Sequence, residues 1–243
     1  MMQIRNMFAS GCTIISVGAL ACGIGIQVIP ALSQGLEFHS VAKGIDDFGY
    51  LLGAARWQFG PLEQKLVFVC WENPGSEYSS QRSSIKDAVT ASWQAHSGLR
   101  FQGWDTTCGQ NSVGIRINVS DEGPHTKGLG RQIDKVVNGM VLNFAFNNWS
   151  PACKNPTMYQ KCVTSIAVHE FGHAIGFAHE QNRPDTPGEC TQPPQGTSGD
   201  TMLTPWDIHS VMNYCNPVYN NDGNLSTYDI QAVQKAYGKP GGQ

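Results

Sequence analysis

Charge is scarce in this chain: of 243 residues, 16 are Lys or Arg and 19 are Asp or Glu, which leaves a charged fraction of 14% and a formal net charge of -3. Without a cationic surplus there is no surface to meet a phosphate backbone or an anionic bilayer, so no nucleic acid partner is expected. Paired CxxC motifs are missing, which excludes a cysteine-built zinc module. Neither an internal repeat nor a low-complexity segment occurs, so a solenoid and a long disordered tract are excluded as well. The most local absence lies near the start, where no charged residue occurs between Arg5 and Glu37.

That uncharged run, NMFASGCTIISVGALACGIGIQVIPALSQG, reads as an export signal. Pro30 ends its apolar part, and Ala31 and Ser33 are the small residues expected before a cut at Gln34. The run is also long enough to span a bilayer, so a retained anchor is the competing reading. Cleavage removes Cys12 and Cys22 and leaves cysteines at 70, 108, 153, 162, 190 and 215. An even number in an exported chain reads as disulfides. Many connectivities are open, of which short-range closure favours Cys70 with Cys108, Cys153 with Cys162 and Cys190 with Cys215.

The ordered pattern begins at KLVFVCW (65 to 71), a short apolar run that reads as a buried strand. In QRSSIKDAVTASWQAHSG the residues Ile85, Ala88, Val89 and Trp93 recur at helical spacing, with Gly98 as the expected left-handed cap. LRFQGW (99 to 104), VGIRINV (113 to 119) and MVLNFAF (140 to 146) read as strands, the second with alternating Val113, Ile115, Ile117 and Val119. From Val163 to Gly176 apolar residues surround a small polar insert, which describes a helix buried in the protein. LSTYDIQAVQKAYG closes the chain as a helix, with Ser226 and Asp229 forming a capping box and Gly238 as the stop. Strands interleaved with helices make an α/β or α+β domain.

The polar insert is the informative part. In SIAVHEFGHAIGFAHEQNRPD (165 to 185), His169 and His173 stand four residues apart, so on a helix they project from one face, one turn apart. Two imidazoles placed so can bind one metal ion. Glu170 lies beside them, where its carboxylate can take a proton from the water at the open position of a three-ligand catalytic zinc. Gly176 permits the left-handed turn that ends the helix and lets the chain double back, bringing His179 in as third ligand.

These residues follow the H-E-x-x-H-x-x-G-x-x-H signature. HEFGHAIGFAHEQNRPD together with SVMNY (210 to 214) resembles the astacin branch of the metzincin metalloproteases. The resemblance implies an α+β domain with a twisted mixed sheet, an active-site helix, a C-terminal helix and a Met-turn whose Met212 forms the apolar floor of the metal. It also implies one catalytic zinc ion on His169, His173 and His179, and a role for Tyr214 as an extra ligand or as a hydrogen-bond donor to the tetrahedral intermediate. Two roles stand open for Glu180: an activation sensor bonded to the new N-terminus, or a partner of Arg183 and cap of the turn. The sequence departs from the branch at Thr186 and Pro187, where a further Arg-Asp is usual, and at Asn213, where histidine is common.

On this reading residues 1–33 are a signal peptide, 34–60 a possible short pro-segment or N-terminal extension with Asp46 and Asp47 as candidate zinc blockers, and 61–243 the catalytic domain. The expected product is a secreted zinc endopeptidase, extracellular or periplasmic. It is expected to be monomeric, without stable membrane association after cleavage, and to act on protein or peptide substrates. The segment 138 to 144 is the nearest candidate for the edge strand that aligns an extended substrate, and plain core is its other reading. The alternative class is a zinc-binding or adhesion protein, secreted or membrane-tethered, that has lost turnover; an intact Glu170 speaks against it, because holding zinc does not require that residue. His39, His96, His125 and His209 lack ligand spacing, and only His209, beside the Met-turn, is expected near the site. Asp121 and Glu122 offer calcium a weak acidic pair, which solvation explains as well.

Overall fold

The computed structural model describes residues 49–241. The leader in either reading, Asp46, Asp47 and the segment up to residue 48 lie outside the described residues. Among those described, no helix is long and apolar enough to cross a membrane.

The apolar run at 65 to 71 becomes strand β2 (Leu66–Trp71), which lies second in a five-stranded sheet after a short edge strand β1 (Gly49–Leu51) has joined a separate ribbon. β2 pairs in parallel with β3 (Arg100–Gln102) on one side and β4 (Ile115–Val119) on the other, with Val69 opposite Ile115. β4 pairs in parallel with β6 (Met140–Leu142), and β5 (His125–Thr126) runs antiparallel to β6 at the far edge. The order β3-β2-β4-β6-β5 makes a mixed sheet. Its inner face packs on helices α1 (Ser79–Val89) and α2 (Pro156–Ala174), burying Trp71, Ile85, Leu99, Ile115, Ile117, Met140 and Phe171. β1 pairs antiparallel with β7 (Thr201–Leu203), and α3 (Thr227–Tyr237) packs on that ribbon. The architecture is α+β.

Several expected boundaries move, each for a physical reason. The helix after β2 ends at Val89 and continues as a wider π-helical turn, Thr90–Gln94, in which Ser92 Oγ donates to Ala88 O at 2.7 Å. The widened turn carries Trp93 to α2, where its indole nitrogen donates to Val168 O at 2.8 Å. Gly98 is not left-handed; it is small because a Cβ there would lie 2.5 Å from Tyr237 O. β4 starts only at Ile115, since Gly114 has φ +84 and no room for a Cβ against Phe68 O, and Val113 is left exposed. The alternation also misplaces Arg116, which is buried and donates through Nε and Nη2 to both oxygens of Glu72 at 2.8 and 3.1 Å. The Arg116 guanidinium holds the Glu72 carboxyl below its usual range.

α2 begins at Pro156, seven residues before the apolar pattern does, because Asn155 caps it through a bond from Thr157 N and proline fits its first turn. The capping box on α3 forms as read, with Asp229 N bonded to Ser226 Oγ and Ser226 N to Asp229 Oδ2, both at 2.9 Å. The expected domain start at 61 is too late. Leu51 and Ala55 are buried, and the Trp57 indole donates to Ala174 O at the end of α2 at 2.8 Å, so residues 49 to 57 are built into the same core.

The three short-range disulfides form: Cys70–Cys108, Cys153–Cys162 and Cys190–Cys215. The first closes the longest loop, a separation of 38 residues. Replacing both of its cysteines with serine is expected to lower stability by about 3–4 kcal/mol through the freed unfolded chain, measured by guanidinium unfolding against the oxidised parent.

Candidate metal centre

α2 carries His169 and His173 one turn apart and ends in a Schellman turn: Phe177 N donates to Gly172 O and Gly176 N to His173 O, both at 2.9 Å, with Gly176 at φ +105. The reversed chain is then held against β1 by Leu52 N to Gly176 O and Ala178 N to Tyr50 O, at 3.0 and 2.8 Å. That pairing aims His179 back at the helix. The three histidines are buried, and their nearest ring nitrogens lie within 4.8 Å of one another.

Each ring is oriented by a main-chain carbonyl. His169 Nδ1 donates to Val211 O at 2.8 Å, His173 Nδ1 to Phe177 O at 2.7 Å and His179 Nδ1 to Gln195 O at 2.9 Å. Carbonyls only accept, so the proton of each neutral ring sits on Nδ1 and every Nε2 presents a bare lone pair. His179 Nε2 lies 3.2 Å from that of His169 and 3.1 Å from that of His173. Three bare lone pairs in a dry pocket repel unless a cation lies between them. Donors about 2.0–2.1 Å from a tetrahedral zinc sit roughly 3.3 Å apart, so the residues fit that ion. Burial works in the same direction, pushing His169 down to about 3 and His173 and His179 below their usual value, so the rings stay neutral and able to ligate.

Glu170 lines the cleft with His173, His179 and Tyr214. Its carboxyl is buried and Oε2 has no partner, and burial alone pushes its pKa up to about 8. A dication held by the adjacent imidazoles would draw it down and favour the carboxylate. The Tyr214 ring lies 4.4 Å from that of His179 and 5.4 Å from that of His169, and burial raises its phenol above the ordinary value, so it is a neutral donor.

Met212 lies beneath the helix, so close to Gly172 that a Cβ there would fall 2.3 Å from its sulfur; glycine at 172 is what lets the methionine in. Asp229 holds this turn from below, accepting from Ser210 Oγ at 2.7 Å and Val211 N at 2.9 Å, and Val211 O in turn orients His169. Sequence reasoning gave Asp229 only its capping role. Glu180 Oε1 accepts from Arg183 Nη1 at 2.9 Å and from Asp207 N at 3.1 Å. The partner-of-Arg183 role is therefore the one found, and the sensor role concerns a terminus outside the described residues. Arg183 is buried and completes its fork on Asp185 at 2.7 and 2.8 Å.

Three readings need correction. The segment 138 to 144 is not an edge: β6 is paired on both sides, and β5 closes the sheet. His125, on β5, lines the cleft, whereas His209 is exposed. A two-residue strand leaves no periodicity to read. The Asp121 carboxylate is engaged by Asn143, Asn147 and Asn148, which makes it a loop organiser, not the start of a calcium site.

A helix-borne histidine pair, a third histidine beyond a left-handed glycine and a methionine floor define the metzincin class of zinc proteases. Within that class the chain is astacin-like: residues 155–188 match the model for the astacin family of peptidases. It is 30% identical over 114 residues to the zinc metalloproteinase nas-36 of Caenorhabditis elegans, an alignment covering 33% of this chain and 18% of that protein. The chain thus spans less than a fifth of that relative's length. In fold it is similar to myroilysin, with a TM-score of 0.55 at 18% identity over 78% of this chain and 98% of that one. It is also similar to the medaka (Oryzias latipes) hatching enzyme HCE-1, a zinc-protease, with a TM-score of 0.50 at 19% identity over 75% and 94% of the two chains.

Removing one partner of a buried charge leaves the other uncompensated. Arg183→Ala is expected to cost about 3–5 kcal/mol in denaturant unfolding. Glu180→Gln, which keeps an acceptor for Arg183 and Asp207 N, should cost clearly less. Equal losses would show that the ion pair does not organise this turn.

Proposed function

We propose that the protein is an exported endopeptidase that hydrolyses peptide bonds in extended protein substrates. The single observation that carries this reading is Glu170: a buried carboxylate oxygen without a partner, in a cleft beside three converged imidazoles. A protein that only stored or displayed a metal ion would have no need of it. Export is supported by the uncharged leader and by three disulfides.

Zinc on His169, His173 and His179 would supply a Lewis acid that polarises the scissile carbonyl and acidifies water. Glu170 accepts the proton of the attacking water and delivers it to the leaving amine. Tyr214 donates its phenol hydrogen to the oxygen on which negative charge develops. The imidazoles are kept in one tautomer by the carbonyls of Val211, Phe177 and Gln195, so no rotation is required as charge moves.

β5 supports the substrate's alignment. Lys127 N donates to Gly139 O at 2.9 Å, so by antiparallel alternation the main-chain groups of Thr126 point away from β6. An extended peptide adds there as a further strand, running antiparallel past Glu170.

The test compares the zinc-loaded full chain with Glu170→Gln on an unfolded protein substrate, with zinc content measured on both. Turnover is expected to fall about 10²–10⁴-fold in the variant at equal zinc content. Chelation should abolish parental activity and added zinc restore it. A zinc-loaded parent that cuts nothing, even after removal of its N-terminal segment, would overturn the reading.

A further inference from the structure

Beyond Tyr214 the cleft opens into a second cavity of about 420 Å³, which shares Pro124, Gln195 and Tyr214 with it. Its far walls are Trp149, Tyr219 and Asn220, and no Asp, Glu, Lys, Arg or His lines it. Two other asparagines on its wall have their amides engaged by main chain: Asn213 bonds Asp207 O and Cys215 N, and Asn216 bonds Val218 N and Ser210 O. Asn220 differs. It is 3% exposed, its side chain is bonded to Tyr219, and its Oδ1 has no partner.

The amide is held by a rigid support. Asn220, Asn221 and Asp222 are all left-handed, with φ of 45, 45 and 54°, a conformation that Asn and Asp tolerate better than other side chains. The turn is clamped to α2, where Gly223 lies against the Ser165 backbone and Lys161 pairs with Asp222 at 2.6 Å.

Chain direction places this cavity relative to the scissile bond. β5 runs from Pro124 towards Gly128, so a peptide antiparallel to it enters near Gly128 and leaves past Pro124. The cavity bordered by Pro124 and Tyr214 therefore meets residues on the C-terminal side of the bond that is cut. We propose that it receives the side chain immediately following the scissile bond and that Asn220 selects there a neutral carboxamide, glutamine or asparagine. This rests on the endopeptidase reading and names its substrate class. A carboxamide N–H satisfies the buried Asn220 oxygen, whereas a carboxylate brings oxygen against oxygen in a cavity with no cation, and an ammonium or guanidinium finds no counter-ion. An aliphatic side chain fills the space and leaves the acceptor orphaned, the kind of mismatch that a hydrogen-bonding site rejects strongly.

The test digests a peptide library with the zinc-loaded full chain and reads residue frequencies on both sides of every cut by mass spectrometry. One peptide frame with Gln, Glu, Lys or Leu after the cut is then compared by kcat/KM. Gln and Asn are expected to be enriched directly after the cut, with Gln favoured over Leu about tenfold and over Glu by more. Asn220→Asp keeps shape and tolerance of the left-handed turn and adds a charge, so its preference should move to Lys and Arg at that position alone. Cuts in the parental digest without enrichment of Gln or Asn there, or an unchanged profile in Asn220→Asp, would overturn the assignment of Asn220 while leaving the endopeptidase reading intact. An absence of all cuts, in the library and in unfolded protein alike, would overturn both.

Discussion

Three imidazole lone pairs pointed at one point is the constraint from which much of this structure follows. Neutral histidines do not adopt that arrangement by themselves, because each would gain more from pairing its lone pair with a donor. They are held in it by Nδ1 bonds to the carbonyls of Val211, Phe177 and Gln195, which belong to three segments distant in sequence. Each segment must then be fixed independently, and each is. Asp229 holds Val211 through its amide. β1 holds the turn before Phe177. Asn182 holds Gln195 through paired bonds of 2.6 and 2.9 Å.

The same constraint explains why so many polar groups lie in the interior of a chain with little charge. Glu180, Arg183, Asp207 and Asp229 are all buried around the turn at 210 to 214. Buried ion pairs add little stability compared with well-packed apolar residues of equal size, but breaking one is costly, so they penalise alternative packings. A turn whose carbonyl must orient a ligand is a place where a single arrangement matters more than net stability. Gly172 and Met212 show the apolar counterpart, a glycine on the zinc helix that leaves room for one sulfur beneath the ligands.

What was legible in the sequence was whatever depends on local spacing. His169, Glu170, His173 and His179 could be read because helix periodicity and one left-handed glycine fix their geometry within eleven residues. The Ser226–Asp229 box and the three disulfides could be read because closure is short. What failed was non-local. β5 is two residues long and exists only because β6 pairs with it, so no pattern marked His125 as part of the cleft. Asp229 shows as a cap, while its second role depends on Ser210, 19 residues earlier in the chain. The first turns of α2 are set by a cap and a proline and not by apolar residues, so the pattern saw only its buried half.

The loop from 184 to 200 brings these threads together. Apart from short turns it has no secondary structure, and much of it is exposed, yet Gln195 within it orients His179 and borders both cavities. A loop of this kind is ordinarily the first segment to open. Here it is tied at two points, by the Asn182 bonds to Gln195 and by Cys190–Cys215, whose second cysteine directly follows Tyr214. The disulfide therefore couples the loop that orients one ligand to the turn that carries the phenol. Its contribution is to shorten the distance over which the loop can wander, more than to raise global stability, and it does so only in an oxidising compartment. Export and the integrity of the metal centre are, on this account, two consequences of the same covalent bond.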